Sequence, residues 1–277
     1  TPFFHTWDIK GKYPEILKGE NSESVRTLFS DGKKMLERVI AENLLTAKAV
    51  FGLFPASSDG DDIRIYHHES GLEKVKIHNL RQQMKKMPGK PNYCLSDFLY
   101  PSASEIPDYI GAFAVTAGIG LDEISNRFKN ELDDYQSILI QSISDRLAEA
   151  LAEKLHEDIR TMYWGYGETE NLNPSELLNE SYTGIRPAPG YPANPDHSEK
   201  TLLFDLLEIN DDPHITLTES YALHPASSVC GWYYAHPDSK YFNVGKISTE
   251  QSNDYGSRKG LDQKTVNQLL QTILADE

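Results

Sequence analysis

The sequence predicts an α+β fold: a single domain with an antiparallel or mixed sheet and helices packed around it. Three observations lead there. Strand-like runs come in clusters, with helices before and after them and no strict βαβ alternation. One long stretch, residues 132–164, sets apolar side chains at steps of three and four over several turns. No internal repeat, low-complexity tract or long linker divides the 277 residues, and 39% apolar content is enough to bury a core.

In chain order, an opening loop leads to a helix over 20–47. Val25, Leu28, Phe29, Leu36, Val39, Ile40 and Leu44 recur there at helical spacing, and Gly32 is its weak point. The runs "AVFGLFPA" (49–56), "DIRIYH" (62–67) and "VKIHN" (75–79) are strands. Ile63 and Ile65 alternate with polar neighbours, as in a strand with one wet face. "DYIGAFAVTAG" (108–118) is a longer, more buried strand. The helix over 132–164 carries Ile140, Ile143, Leu147, Leu151, Leu155, Ile159 and Met162 on one side. Asp145, Glu149 and Glu153 form an acidic row on the other, a pattern that is ordinarily a solvated face. An aromatic loop, "YWGYG", and a short helix opened by Asn173-Pro174 follow. Next come a helix over 198–209 and strands at "HITLTESYAL" (214–223), "GWYYA" (231–235) and "YFNVGKI" (241–247). A helix over 248–260, capped by Ser248 or Thr249 and stopped by Gly260, precedes a last helix over 263–274.

Charge and composition narrow the function. A formal charge of −15, from 42 acidic against 27 basic residues, argues against nucleic acid or anionic lipid as a partner. No apolar run approaches the roughly 20 residues that span a bilayer, and no basic-then-apolar leader opens the chain. Cys94 and Cys230 stand far apart, without CxxC pairing and without a basic neighbour in sequence. They read as packed thiols in a reducing, cytoplasmic setting rather than as a disulfide, zinc ligands or nucleophiles. The first residue, Thr1, and the apolar Phe3 and Phe4 after it suggest a piece of a longer protein.

Most chemical motifs fail on detail. "TAGIGLDEIS" comes nearest to a dinucleotide loop, but Glu123 stands at the third glycine position, where its carboxylate would repel a pyrophosphate. There is no GxSxG elbow and no HExxH helix, and His67-His68-Glu69 lacks metal-ligand spacing. The segment "TGIRPAPGYPANPDHSEK" (183–200) differs. Pro187, Pro189, Pro192 and Pro195 fix φ and remove amide donors, which leaves a stiff extended ribbon with exposed carbonyls. Backbone groups of Ala188 and Gly190 could meet the edge of a base, with close approach at Gly190. Arg186 offers a planar fork for a carboxylate and Tyr191 an aromatic face. The set suits a zwitterionic nucleoside such as S-adenosylmethionine (AdoMet), and equally a rigid surface loop with a structural arginine.

"RPAPGYP" followed by "PDHSEK" closely resembles the AdoMet-binding signature of the C-terminal activation domain of cobalamin-dependent methionine synthase. "TPFFHTW", "GKYPEIL", "GDDIRIY", "NYCLSDF", "DYIGAFAVTAG", "DRLAEALAEKLH", "YWGY", "LTESYAL" and "HPDSKYF" are similar to family segments in family order, so the likeness covers essentially residues 1–277. The resemblance implies a single-domain α+β fold with a bent, mainly antiparallel sheet. It implies that Arg186 holds the AdoMet carboxylate, that backbone at Ala188 and Gly190 meets the ligand, and that Tyr191, Glu149, Tyr241 and Phe242 line the site. Asp145 is implied to face the displaced cobalt-ligating histidine of a neighbouring cobalamin-binding module, and the loop "LHPASSVCGW" the corrin. The implied activity is reductive methylation of cob(II)alamin, with an electron from a flavodoxin-like donor and a methyl group from AdoMet. Cobalamin and zinc would sit in other modules of the full methyltransferase. A stand-alone AdoMet-binding regulatory or reductase-docking module is the alternative from a different class.

Overall fold

The computed structural model describes residues 2–19, 22–104 and 106–275. The elements in order are α1 (Pro2–His5), α2 (Ser22–Ala41), β1 (Thr46–Asp59), β2 (Asp62–Tyr66), β3 (Glu73–His78), β4 (Asp108–Ile119), α3 (Leu121–Asn130), α4 (Asp134–Asp158), α5 (Pro174–Leu178), α6 (Glu199–Leu207), β5 (Thr216–Leu217), β6 (Leu223–His224), β7 (Ser228–Tyr233), α7 (Thr249–Lys259) and α8 (Gln263–Leu269). The fold is α+β, as the clustering of strands predicts.

A five-stranded sheet runs in the order β3-β2-β1-β4-β7, and β1, β2 and β3 pair antiparallel. Its strands follow the alternation expected of them: Ile63 and Ile65 are wholly buried while Arg64 between them is partly exposed. β4 is buried from Ile110 to Gly118, the near-continuous burial that its apolar run predicts.

Chain contacts resolve two compact units, each built from three segments. The first comprises Thr1–Ala49, Val115–Leu155 and Asp212–Val229; the second comprises Val50–Ala114, His156–Asp211 and Cys230–Glu277. In the first, α2, α3 and α4 pack Val25, Leu28, Met35, Val39, Ile124, Phe128, Leu139 and Ile140 into one core, joined by Phe4. In the second, Val244, Ile247, Tyr255, Val266 and Leu270 close a smaller core on Leu80.

Several elements depart from their sequence expectation. α2 runs unbroken through Gly32: a Cβ there would lie 2.7 Å from the Phe3 ring, so the glycine admits a close neighbour rather than weakening the helix. The start expected at Glu20 lies outside the described residues. α3 has no counterpart in the sequence reading. "HITLTESYAL" is not one strand but the two arms of a hairpin, β5 and β6, reversed where Thr218 N–H donates to Ala222 O. "YFNVGKI" is not a sheet strand either. Val244 N–H donates to Pro192 O and Ile247 N–H to Ile273 O, so this segment ties loops together. The last helix stops at Leu269, short of the expected 274.

Candidate ligand site

The proline ribbon takes its shape from backbone pairing in the second unit. Ile185 and Tyr234 exchange both N–H···O bonds at 3.0 Å, and Trp232 N–H donates to Pro187 O at 2.9 Å. Gly231 permits this approach, since a Cβ there would lie 2.9 Å from Pro187 O. Beyond Pro189 the chain reverses: Gly190 N–H donates to Asn194 O at 2.7 Å and Tyr191 N–H to Ala188 O at 3.2 Å. These bonds engage the Gly190 amide and the Ala188 carbonyl within the turn. Gly190 itself is required, at φ +92° with the His197 ring where a Cβ would stand.

After the ribbon, "PDHSEK" is anchored by charge. Lys259 Nζ donates to Asp196 Oδ2 at 2.6 Å, Ser198 Oγ at 2.9 Å and Glu199 Oε1 at 2.5 Å, and Tyr255 Oη donates to the same Asp196 oxygen at 2.6 Å. Asp196 and Glu199 are both buried. Burial alone would raise the Asp196 carboxyl, but Lys259 and the hydroxyls of Tyr255 and Ser198 bring it below the ordinary aspartate value. Glu199, buried more completely, is raised in spite of Lys259.

Arg186 stands at the head of the ribbon and is held on several sides. Its backbone N–H donates to Tyr241 Oη at 3.0 Å. Its Nη1 donates to Tyr182 Oη at 2.7 Å and lies 3.3 Å from His156 Nδ1. A guanidinium has donors only, so His156 Nδ1 is the acceptor and its proton sits on Nε2, facing Tyr166 Oη at 3.4 Å. Burial, then the charges of Arg160 and Arg186, push the His156 pKa well below 6.5 and keep the ring neutral. Tyr233 stacks on that ring at 4.9 Å.

Among the sequence-predicted residues, Arg186 and Tyr241 are thus brought into contact. Tyr191 follows Gly190 in the turn and leaves its side chain 63% exposed. The Phe242 ring packs with Tyr93 and Phe98, at 6.0 and 6.3 Å. Asp145 and Glu149 belong to α4 in the first unit. Glu149 is exposed, whereas Asp145 is half-buried and accepts from Ser227 Oγ at 2.6 Å, so the acidic row is not a uniformly solvated face. The loop carrying Ser227 is pinned to β4, where Ala117 N–H and Thr116 Oγ1 both donate to Ser227 O. Gly118, of the failed dinucleotide motif, would set a Cβ 2.5 Å from Pro225, and Asp122 and Glu123 fill the first turn of α3.

Sequence reasoning missed His156, Arg160, Tyr166 and Tyr182. A signal exists: Ala148, Ala152, His156 and Arg160 form an i, i+4 stripe, all buried, but two alanines and two polar residues do not register as an apolar face. Both thiols are packed as expected, and burial pushes Cys94 up to about 11 and Cys230 to about 12. Among the described residues, no cluster of His, Cys, Asp or Glu could hold a metal ion, and no helix is long and apolar enough to cross a membrane. Open cavities of about 840 Å³ beside Trp7 and Tyr135, and about 370 Å³ beside Tyr66 and Tyr109, include none of the predicted residues in their linings.

The family described as "Vitamin B12 dependent methionine synthase, activation domain" matches residues 1–260. Among solved structures, "Crystal Structure of the MetH Reactivation Domain bound to AdoHcy" is similar with a TM-score of 0.96 and 48% sequence identity, over 100% of this chain and 86% of the other.

Proposed function

Because the chain belongs to the activation-domain family of vitamin B12-dependent methionine synthase, we propose that it binds AdoMet and supports reductive methylation of cob(II)alamin held by a neighbouring module of the same enzyme. The observation that carries this reading is the AdoHcy-bound relative, similar over the whole of this chain. AdoHcy is AdoMet after loss of its methyl group, so a pocket that takes one carries the carboxylate and adenine contacts of the other.

The residues present fit such a ligand. Arg186 supplies a fork for the α-carboxylate, and its backbone and guanidinium are both fixed by neighbours. Tyr191 supplies an exposed ring beside a glycine whose lack of Cβ keeps the turn tight. Ala188, Gly190, Tyr241 and Phe242 complete the set offered by this unit, and Glu149 is offered by α4. Asp145 is proposed to face the cobalamin-binding module.

When bound, AdoMet supplies an electrophilic methyl on a sulfonium, and no protein base is needed to transfer it to cobalt. The chain's own work is binding and orientation: Arg186 fixes one end of the ligand, the ribbon turn fixes its aromatic end, and the methyl is left facing the partner module. The electron comes from a flavodoxin-like donor, and turnover on homocysteine requires the other modules, including their zinc.

Calorimetric titration with AdoMet and AdoHcy tests the proposal. Arg186→Ala is expected to weaken both about ten-fold or more, the loss of a charge-assisted bidentate contact. Unchanged affinity in that variant removes the basis for the reading.

A further inference from the structure

In the proposed function Arg186 carries ligand recognition, yet a free arginine side chain has rotamer entropy that binding must suppress. The second unit shows how that disorder is removed in advance. We propose that His156, Tyr182 and Arg160 are positioning residues that set the Arg186 guanidinium for the ligand carboxylate; this rests on the reading of Arg186 given above.

Each of the three is itself fixed. The His156 ring lies between Tyr233, stacked at 4.9 Å and 19°, and Tyr182, edge-on at 5.1 Å and 83°, so its Nδ1 lone pair has one direction in which to point. Arg186 Nη1 meets that lone pair at 3.3 Å and Tyr182 Oη at 2.7 Å. Two acceptors at one nitrogen fix the plane of a guanidinium as well as its position. Tyr182 is held in turn by Arg160, whose Cζ lies 3.8 Å from the centre of its ring, a cation–π contact from a fully buried guanidinium.

Arg160 continues the buried stripe of α4 into an irregular turn. α4 is followed by a π turn, Ile159–Tyr163, in which Trp164 N–H donates to Ile159 O. The guanidinium is held by Glu170, whose Oε1 and Oε2 accept from Nε at 3.0 and 2.8 Å. Its Nη1 and Nη2 have no hydrogen-bond partner among the described residues. Its charge and that of Arg186 both act on the neutral His156 ring between them and keep it an acceptor.

The test compares two probes on the 277-residue chain. AdoHcy carries the α-carboxylate; 5′-methylthioadenosine is the same nucleoside thioether without the amino acid. Calorimetry serves the first and ligand-observed NMR the second. Tyr182→Phe and His156→Leu are expected to weaken AdoHcy about 5- to 30-fold, as for loss of a hydrogen bond to a charged group, and to leave methylthioadenosine unchanged. Arg160→Met is expected to act in the same direction. His156→Asn, which keeps an acceptor at the Nδ1 position, is expected to recover most of the AdoHcy affinity that His156→Leu loses. Equal losses for both probes would mean general damage and overturn the proposal, as would wild-type AdoHcy binding in Tyr182→Phe and His156→Leu while Arg186→Ala is weakened. Wild-type binding by Arg186→Ala would instead overturn the carboxylate assignment itself.

Discussion

Gly190 shows how much one missing carbon does. At φ +92° a side chain is strained, and a Cβ would fall 2.2 Å from His197 Cε1. Gly190→Ala is expected to cost about 1–3 kcal/mol, read from the urea midpoint, with a matching loss of AdoHcy binding as the turn opens. His156 makes a second prediction, through pH. Its folded pKa lies well below 6.5, so below pH 6.5 the unfolded chain takes up a proton that the folded chain refuses. Stability therefore falls as pH drops through this window, by up to about 1.4 kcal/mol per pH unit. Urea titrations between pH 7 and 5 should show that slope, and His156→Asn should flatten it. Arg186 was legible in the sequence because "RPAPGYP" is a compact local pattern. The groups that hold it were not, because Arg160, His156 and Tyr182 meet only in the folded chain and none carries a local motif.

At the scale of elements, the sequence was most reliable where burial and period agree. β4 and α7 follow this rule, with Ser248 accepting from Gln251 N–H at the start of α7 and Gly260 in the left-handed conformation at its end. It was least reliable where the period changes within an element. Met162 continues the apolar steps of α4 on paper, but the wider turn at Ile159–Tyr163 breaks the phase after Arg160, so Met162 is 68% exposed. "YFNVGKI" has strand composition but spends its backbone bonds on loops, a choice that only tertiary neighbours can dictate. The contact between α7 and the "PDHSEK" segment yields a third prediction. Lys259→Met leaves the Asp196 and Glu199 carboxylates buried without their cation, and a loss of about 3–5 kcal/mol is expected. That loss should shrink as pH falls from 7 to 5, because protonation neutralises carboxyls that have lost their partner. In the native chain Lys259 itself is raised above 10.5 by Glu199 and Asp196 despite its burial. Its contribution is present below that pH and is lost as pH rises through the raised value.

The whole molecule is strongly acidic, and at −15 like-charge repulsion opposes self-association. Fold class was legible at this scale from the order of the elements alone. The division into two units was not, since each gathers segments far apart in sequence. β1, β4 and β7 each contribute residues to both units, so melting one frays strands needed by the other. Scanning calorimetry is expected to show one transition with equal calorimetric and van't Hoff enthalpies; two resolved peaks would contradict this. The same interleaving restricts how the gene can be remodelled. No single cut releases either unit as a cassette, and an exchange with breakpoints inside a shared strand would splice half of one framework onto half of another. Recombination can therefore preserve this architecture only by moving everything from the first shared strand to the last as one inheritance.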